Sequence, residues 1–185
     1  VFIKGNETIK DFAISFYSTK SLIIENVTIM NSGGICALKD ASKSDHITLK
    51  NVNIKESNYG FYCFDDYNDD DDDLLQSNVF ININECTFSS VKHALLLKLT
   101  NNNFQLKNNT ICDCINLDEN EEKIPTIFIK INSLEPLINL IFDEFVFRNN
   151  KYMQPIKQTT GFGGGIGLSI LTTKEKEQSF KLSFN

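Results

Sequence analysis

The sequence predicts an all-β fold wound as a right-handed parallel β-helix of about six coils. Three observations predict it: an eight-residue pattern that returns along the chain, an apolar parity that flips inside each copy, and a second apolar stretch after each copy.

The pattern is plainest in "LIIENVTI" at 22–29 and "ITLKNVNI" at 47–54. "ININECTF" from Ile81 and "FQLKNNTI" from Phe104 follow it, with "LIFDEFVF" from Leu140 and "ETIKDFAI" from Glu7 as looser copies. Apolar residues at positions one and three mark a half-buried strand. In the plainest copies positions six and eight are apolar as well, so the parity has flipped and one residue has gone into a bend. Position five holds Asn26, Asn51 and Asn108, and elsewhere Glu85, Glu144 and Asp11. Asparagine is the non-glycine residue that best tolerates a left-handed backbone, and its amide can bond a neighbour stacked above. Each copy therefore reads as strand, corner, strand. Asn26, Asn51 and Asn108 are the structural corners, with side chains expected to stack inward.

The second apolar stretches are Ile35 to Leu38, Phe61 to Phe64, Ala94 to Leu99, Thr126 to Ile131 and Gly165 to Ile170, each read as a further strand of its coil. Window starts lie 15 to 36 residues apart, with the extra residues collected between strands. A solenoid behaves in this way, because stacked strands keep a spacing of about 4.8 Å while insertions escape into loops. No stretch carries a sustained helical period with caps. A leucine-rich repeat is the nearest rival, but its consensus puts two residues between the second strand leucine and the asparagine, where this chain has one.

These coils resemble the pectin-lyase-like, right-handed β-helix superfamily over most of the chain, from about Glu7 to Leu171. Gly33-Gly34-Ile35, Gly164-Gly165-Ile166 and the pair Phe147 and Asn150 resemble the GGA(I/L/V) and FxxN motifs of polymorphic outer-membrane-protein repeats, although the alanine is missing. That second resemblance implies a surface-exposed or secreted protein used in adhesion or as a stalk. The physical reading of the glycines is simpler: they let the backbone turn sharply between coils.

The 185 residues, 41% of them hydrophobic, make one domain's worth of chain with enough apolar surface for a sizeable core. The expectation is a single domain over 1–185 with an acidic low-complexity insertion at 65–73. A net charge of -6 and a single arginine, Arg148, argue against nucleic acid as a partner. The apolar run from Phe162 to Leu171 is too short and glycine-rich to span a bilayer. The chain stops within the alternating pattern "FKLSFN" and is read as a piece of something longer, with any membrane attachment left to parts not present.

Candidate sites are sparse. The superfamily resemblance implies carboxylates, a basic residue and sometimes calcium on one outer face, but a lyase needs a base that only Arg148 offers as arginine. The motifs of a polygalacturonase are absent, and the adjacent Asp143 and Glu144 would point to opposite faces of a strand. The run "DDYNDDDDD" from Asp65 to Asp73 repels itself and is read as an exposed loop. Asp66, Asn68 and Asp70 at alternate positions are its weak candidates for calcium, without the glycine and glutamate of an EF-hand loop. Cys86 fits a small buried hydrophobe, and Cys112 and Cys114, two apart, are expected on one side of a strand. With five cysteines, counting Cys36 and Cys63, at least one is unpaired. His46 and His93 are read as structural. Of the sequons at Asn6, Asn26 and Asn108, only Asn6 is expected to carry glycan, because inward corners leave no room.

No catalytic constellation and no cofactor site emerge from this inventory. The expectation is therefore a non-enzymatic surface or secreted β-helix module, extracellular or at the cell surface, acting as an adhesin or structural spacer with a protein or glycan partner. The alternative is a carbohydrate-active β-helix, a polysaccharide lyase or glycoside hydrolase acting on acidic polysaccharide.

Overall fold

A computed structural model describes residues 1–5, 11–17, 21–39, 45–65, 79–100, 102–116, 126–133, 137–152, 166–172 and 179–184. These residues form strands joined by short turns, with no helix among them. In chain order the strands are Phe2–Lys4 (β1), Ile14–Tyr17 (β2), Ser21–Met30 (β3), Ile35–Lys39 (β4), Asp45–Lys55 (β5) and Tyr59–Asp65 (β6). Then come Val79–Asn84 (β7), Thr87–Ser89 (β8), His93–Thr100 (β9), Asn102–Lys107 (β10), Thr110–Cys112 (β11), Ile115–Asn116 (β12) and Ile127–Ser133 (β13). Leu137–Asp143 (β14), Val146–Arg148 (β15), Lys151–Tyr152 (β16), Ile166–Thr172 (β17) and Ser179–Phe184 (β18) complete the set.

Every strand pair is parallel, and successive passes of the chain revisit the same sheets in the same order. The larger sheet has two wings. One carries β7, β10, β14 and β18, the other β8, β11 and β15, and the long strands β3 and β5 run through both. The smaller sheet runs β17-β13-β9-β6-β4-β2, and β12 pairs with β16. The second apolar stretches are thus a sheet of their own, with Ile35 on Phe61, Phe61 on Leu95, Leu95 on Ile127 and Ile127 on Ile166.

The repeated windows stack position for position. Leu22 lies on Ile47, Ile47 on Ile81, Ile81 on Phe104 and Phe104 on Leu140, and Leu182 continues the row on Leu140. The window from Glu7 does not belong to this series. Residues 6–10 lie outside the described set, and Ile14, its last residue, pairs with Ile35 in the smaller sheet. The strand that stacks under the first full window is β1, with Phe2 on Thr28. Alternation alone cannot separate a window end from a strand of the other sheet, because both read as apolar at every second residue.

Position five is a left-handed corner in all five stacked windows, with φ of 57° at Asn26, 51° at Asn51, 56° at Glu85, 52° at Asn108 and 48° at Glu144. A second corner follows five residues later in each pass, at Asn31, Glu56, Ser90, Asp113 and Asn149, all with φ between 52° and 56°. The corner side chains face out, contrary to the inward stacking expected: Asn26, Asn51 and Asn108 are all exposed. The backbone turns with its convex side to solvent, so the side chain at the bend leaves the core. Stacking between corners still occurs, on the outside, where Asn51 Nδ2 donates to Asn26 Oδ1 at 2.7 Å and Asn149 Nδ2 to Asp113 Oδ1 at 3.2 Å. The steric argument that kept glycan from Asn26 and Asn108 therefore fails, and Asn6 lies outside the described residues.

Glutamate at a left-handed corner carries a steric penalty of about 1 kcal/mol that asparagine largely avoids. Glu85→Asn is expected to raise the stability of the chain by about 0.5–1 kcal/mol, read as a higher urea midpoint at unchanged slope.

At two corners the residue that follows the bend carries a side-chain amide that meets backbone groups. Asn109, fully buried, donates from Nδ2 to the Ile83 carbonyl at 2.7 Å and accepts from the Cys86 N–H at 2.8 Å. Asn150 repeats the arrangement at the second corner, donating to the Ile111 carbonyl and accepting from the Cys114 N–H, both at 3.0 Å. Cys86 itself donates to the Asn84 carbonyl at 3.2 Å and Cys114 to the Cys112 carbonyl at 3.4 Å. A one-residue bend takes backbone groups out of the strand ladder, and each must find a partner where water is excluded. Apolar stacks of Ile29, Ile54, Phe88 and Ile111, and of Leu49, Ile83 and Leu106, fill the space between the sheets.

Small residues line up at the entrance to the smaller sheet, where Gly34, Gly60, Ala94 and Thr126 each precede the first inward residue. Gly34 turns with φ of 94°. Gly60 has no such conformational demand; a β-carbon there would meet the Ala94 carbonyl and the Phe88 ring.

Candidate functional site on the outer face of the larger sheet

Register turns single residues into rows. Outside the wing that holds β3, β5, β7, β10 and β14, three rows run across the strands. The first is Ser21, His46, Phe80 and Asn103. The second is Ile23, Thr48, Asn82, Gln105 and Ile141. The third is Glu25, Lys50, Asn84, Lys107 and Asp143. Rows lie two residues apart along each strand, roughly 7 Å, and neighbours within a row roughly 4.8 Å apart.

A groove of about 510 Å³ opens over the first two rows, lined by His46, Thr48, Phe80, Asn82, Asn103 and Gln105, with Ile141 at one end. Phe80 is 49% exposed, and the His46 ring stacks on it with centroids 5.3 Å apart and planes within 11°. The groove thus combines one flat aromatic surface with three side-chain amides and a hydroxyl. The charged groups are confined to the third row. There Lys107 Nζ lies 3.8 Å from Asp143 Oδ2, and Glu25 faces Lys50 in register.

The residues singled out from the sequence are scattered. Arg148 ends β15 in the other wing, exposed and next to Cys112. Asp143 and Glu144 are not on opposite faces: the bend at Glu144 sends both outward, since the corner cancels the strand's alternation. Cys112 and Cys114 are likewise not on one side. The corner at Asp113 lies between them, so Cys114 joins the core cluster while Cys112, although only 6% exposed, does not. Asp66, Asn68 and Asp70 lie outside the described residues, as does the acidic run after Asp65. Among the described residues, no cluster of three or more His, Cys, Asp or Glu side chains is placed to hold a metal ion.

His93 is 3% exposed and stacks on Tyr59 at 5.6 Å, in keeping with a packing role. His46 is different: it is exposed and belongs to the groove. Its neighbours there, Phe80 and Asn103, are distant in the chain, and only the register between windows brings them together.

All five thiols are free. Burial pushes Cys86 and Cys114 up to about 11 from the ordinary value of 9.0, and it raises Cys36 and Cys112 as well. A raised thiol pKa means that the fold favours the neutral form. Its contribution to stability is therefore present below pH 9 and lost as pH rises through about 11. Thiol reagents at neutral pH are expected to modify Cys86 and Cys114 only at the rate of unfolding, measured by mass spectrometry of quenched samples.

Comparison with known proteins adds no relative: no family model, no curated protein and no solved structure matches the chain.

Proposed function

We propose that the chain is a right-handed parallel β-helix module that acts without catalysis, as a surface or secreted adhesin or spacer that offers the outer face of its larger sheet to a protein or glycan partner. The observation that carries this reading is the in-register stacking of five windows, which converts a repeated sequence into straight outer rows. Rows of that kind suit a long, repetitive partner, and the asparagine clamps, fully buried at Asn109 and half-buried at Asn150, brace the corners. The sequence resemblance to β-helical surface repeats points the same way.

A carbohydrate-cleaving enzyme is the competing reading, because the groove has the mixed polar and aromatic lining of a sugar site. Cleavage by paired acid and base needs two titratable groups across the scissile bond. Among the described lining residues His46 is the one titratable side chain.

The test is an array of acidic and neutral glycans, with and without calcium, followed by assay of every bound glycan for new chain ends. Retention of intact glycan is the expected result. Release of shortened or unsaturated products would overturn the non-catalytic reading.

A further inference from the structure

Resting on that reading, we infer that the groove binds a neutral, extended oligosaccharide, lying across the strands with successive rings over β5, β7 and β10.

Charge comes first. His46, Thr48, Phe80, Asn82, Asn103, Gln105 and Ile141 include no carboxylate, ammonium or guanidinium. An anionic ligand there would lose its hydration without gaining an opposite charge. The nearest lysines by register, Lys50 and Lys107, lie in the next row, Lys107 paired with Asp143 and Lys50 in register beside Glu25. A neutral ligand meets no such cost.

Shape and hydrogen-bonding capacity narrow the class. The stacking interval of roughly 4.8 Å is close to the length that one pyranose ring occupies in an extended, equatorially linked chain. Each strand therefore meets a ring in nearly the same way, as Thr48, Asn82 and Gln105 do along the second row. Side-chain amides both donate and accept, which matches a hydroxyl that does the same. The Phe80 ring, backed by His46, supplies the flat apolar surface that the C–H face of a pyranose covers. A volume of about 510 Å³ is of the size of small-ligand sites. A peptide strand fits less well, because the backbone of β5, β7 and β10 is already paired on both edges and has no ladder to extend.

The experiment is a titration of the whole 185-residue chain with cellohexaose as the neutral probe and hexagalacturonate as the acidic one, followed by amide NMR and calorimetry. Cellohexaose is expected to shift the side-chain amides of Asn82, Asn103 and Gln105. Phe80→Ala is expected to weaken binding at least tenfold, while Phe80→Tyr retains it. Val146→Ala, at a 46% exposed site in the other wing, is the control and keeps full affinity. Phe80 is on the surface, so its variants fold, which unchanged amide spectra away from the groove will verify. The inference is overturned if cellohexaose does not bind, if Phe80→Ala binds as well as the parent chain, or if hexagalacturonate binds more tightly. Each of those results leaves the adhesin or spacer reading standing, whereas cleavage of either probe would strike that reading and not the groove.

Discussion

Asn109→Leu is expected to destabilise the chain by about 3 kcal/mol, one of the two largest effects of a single substitution anticipated here. Leucine shares the branched four-atom skeleton of asparagine and the apolar character of the stack, so hydrophobicity alone would favour the change. Two backbone groups decide otherwise. The Ile83 carbonyl and the Cys86 N–H are both answered by Asn109, at a site with no exposure. Leaving buried polar groups unpaired costs about 1–3 kcal/mol each, against which leucine recovers part through burial. Urea unfolding should show a lower midpoint at unchanged slope. Asn109→Asp keeps the acceptor but forfeits the donor, and is expected to be destabilising too. A midpoint for Asn109→Leu within error of the parent would mean that water reaches this corner. The same clamp ties β10 to β7, which carry Gln105 and Asn82, so cellohexaose affinity should fall together with stability.

Gly60→Ala is the second large effect, expected to cost about 3 kcal/mol. Elsewhere in a strand, alanine for glycine is favourable because it narrows the unfolded ensemble. At Gly60 the added methyl has nowhere to go, since the Ala94 carbonyl and the Phe88 ring occupy its place and both belong to the next pass of the chain. Overpacking a buried site costs about 1–3 kcal/mol, at the upper end where the obstruction is backbone. The pairing of β6 with β9 should loosen first, which hydrogen exchange at Phe61 to Phe64 will report. Slow exchange there, at parental rates, would contradict the crowding.

Much of this architecture was legible because one rule governs both sequence and fold: a one-residue bend reverses the inside-outside alternation. Asn26, Asn51 and Asn108 could be located because that reversal leaves a visible scar in the apolar pattern. The second corner was harder to see. Asn31, Glu56, Ser90, Asp113 and Asn149 share only polarity, and the residues that follow them inward, Ser32, Ser57, Val91, Cys114 and Asn150, are mostly small or polar. No flip between two apolar runs marks the place. The direction of the corner side chains was misread for a related reason: stacking between Asn26 and Asn51 is compatible with either side of the sheet, and only the curvature of the backbone chooses. The buried amide of Asn109 escapes the apolar pattern because it occupies position six of its window, where Val27, Val52, Cys86 and Phe145 stand in the other stacked windows. The groove lay beyond sequence reasoning altogether. Its residues lie on four strands and come together only when Ile47, Ile81 and Phe104 are known to share a column.

That shared column is what the fold, the outer rows and the groove all rest on, and NMR cross-peaks between backbone protons of equivalent window residues test it most directly. The account predicts contacts of Thr48 with Asn82, of Asn82 with Gln105 and of Gln105 with Ile141, in the α-to-amide pattern of parallel strands. Contacts displaced by one residue would put Phe80 and Asn82 inside and contradict it, as would the close α-to-α contacts of antiparallel pairing.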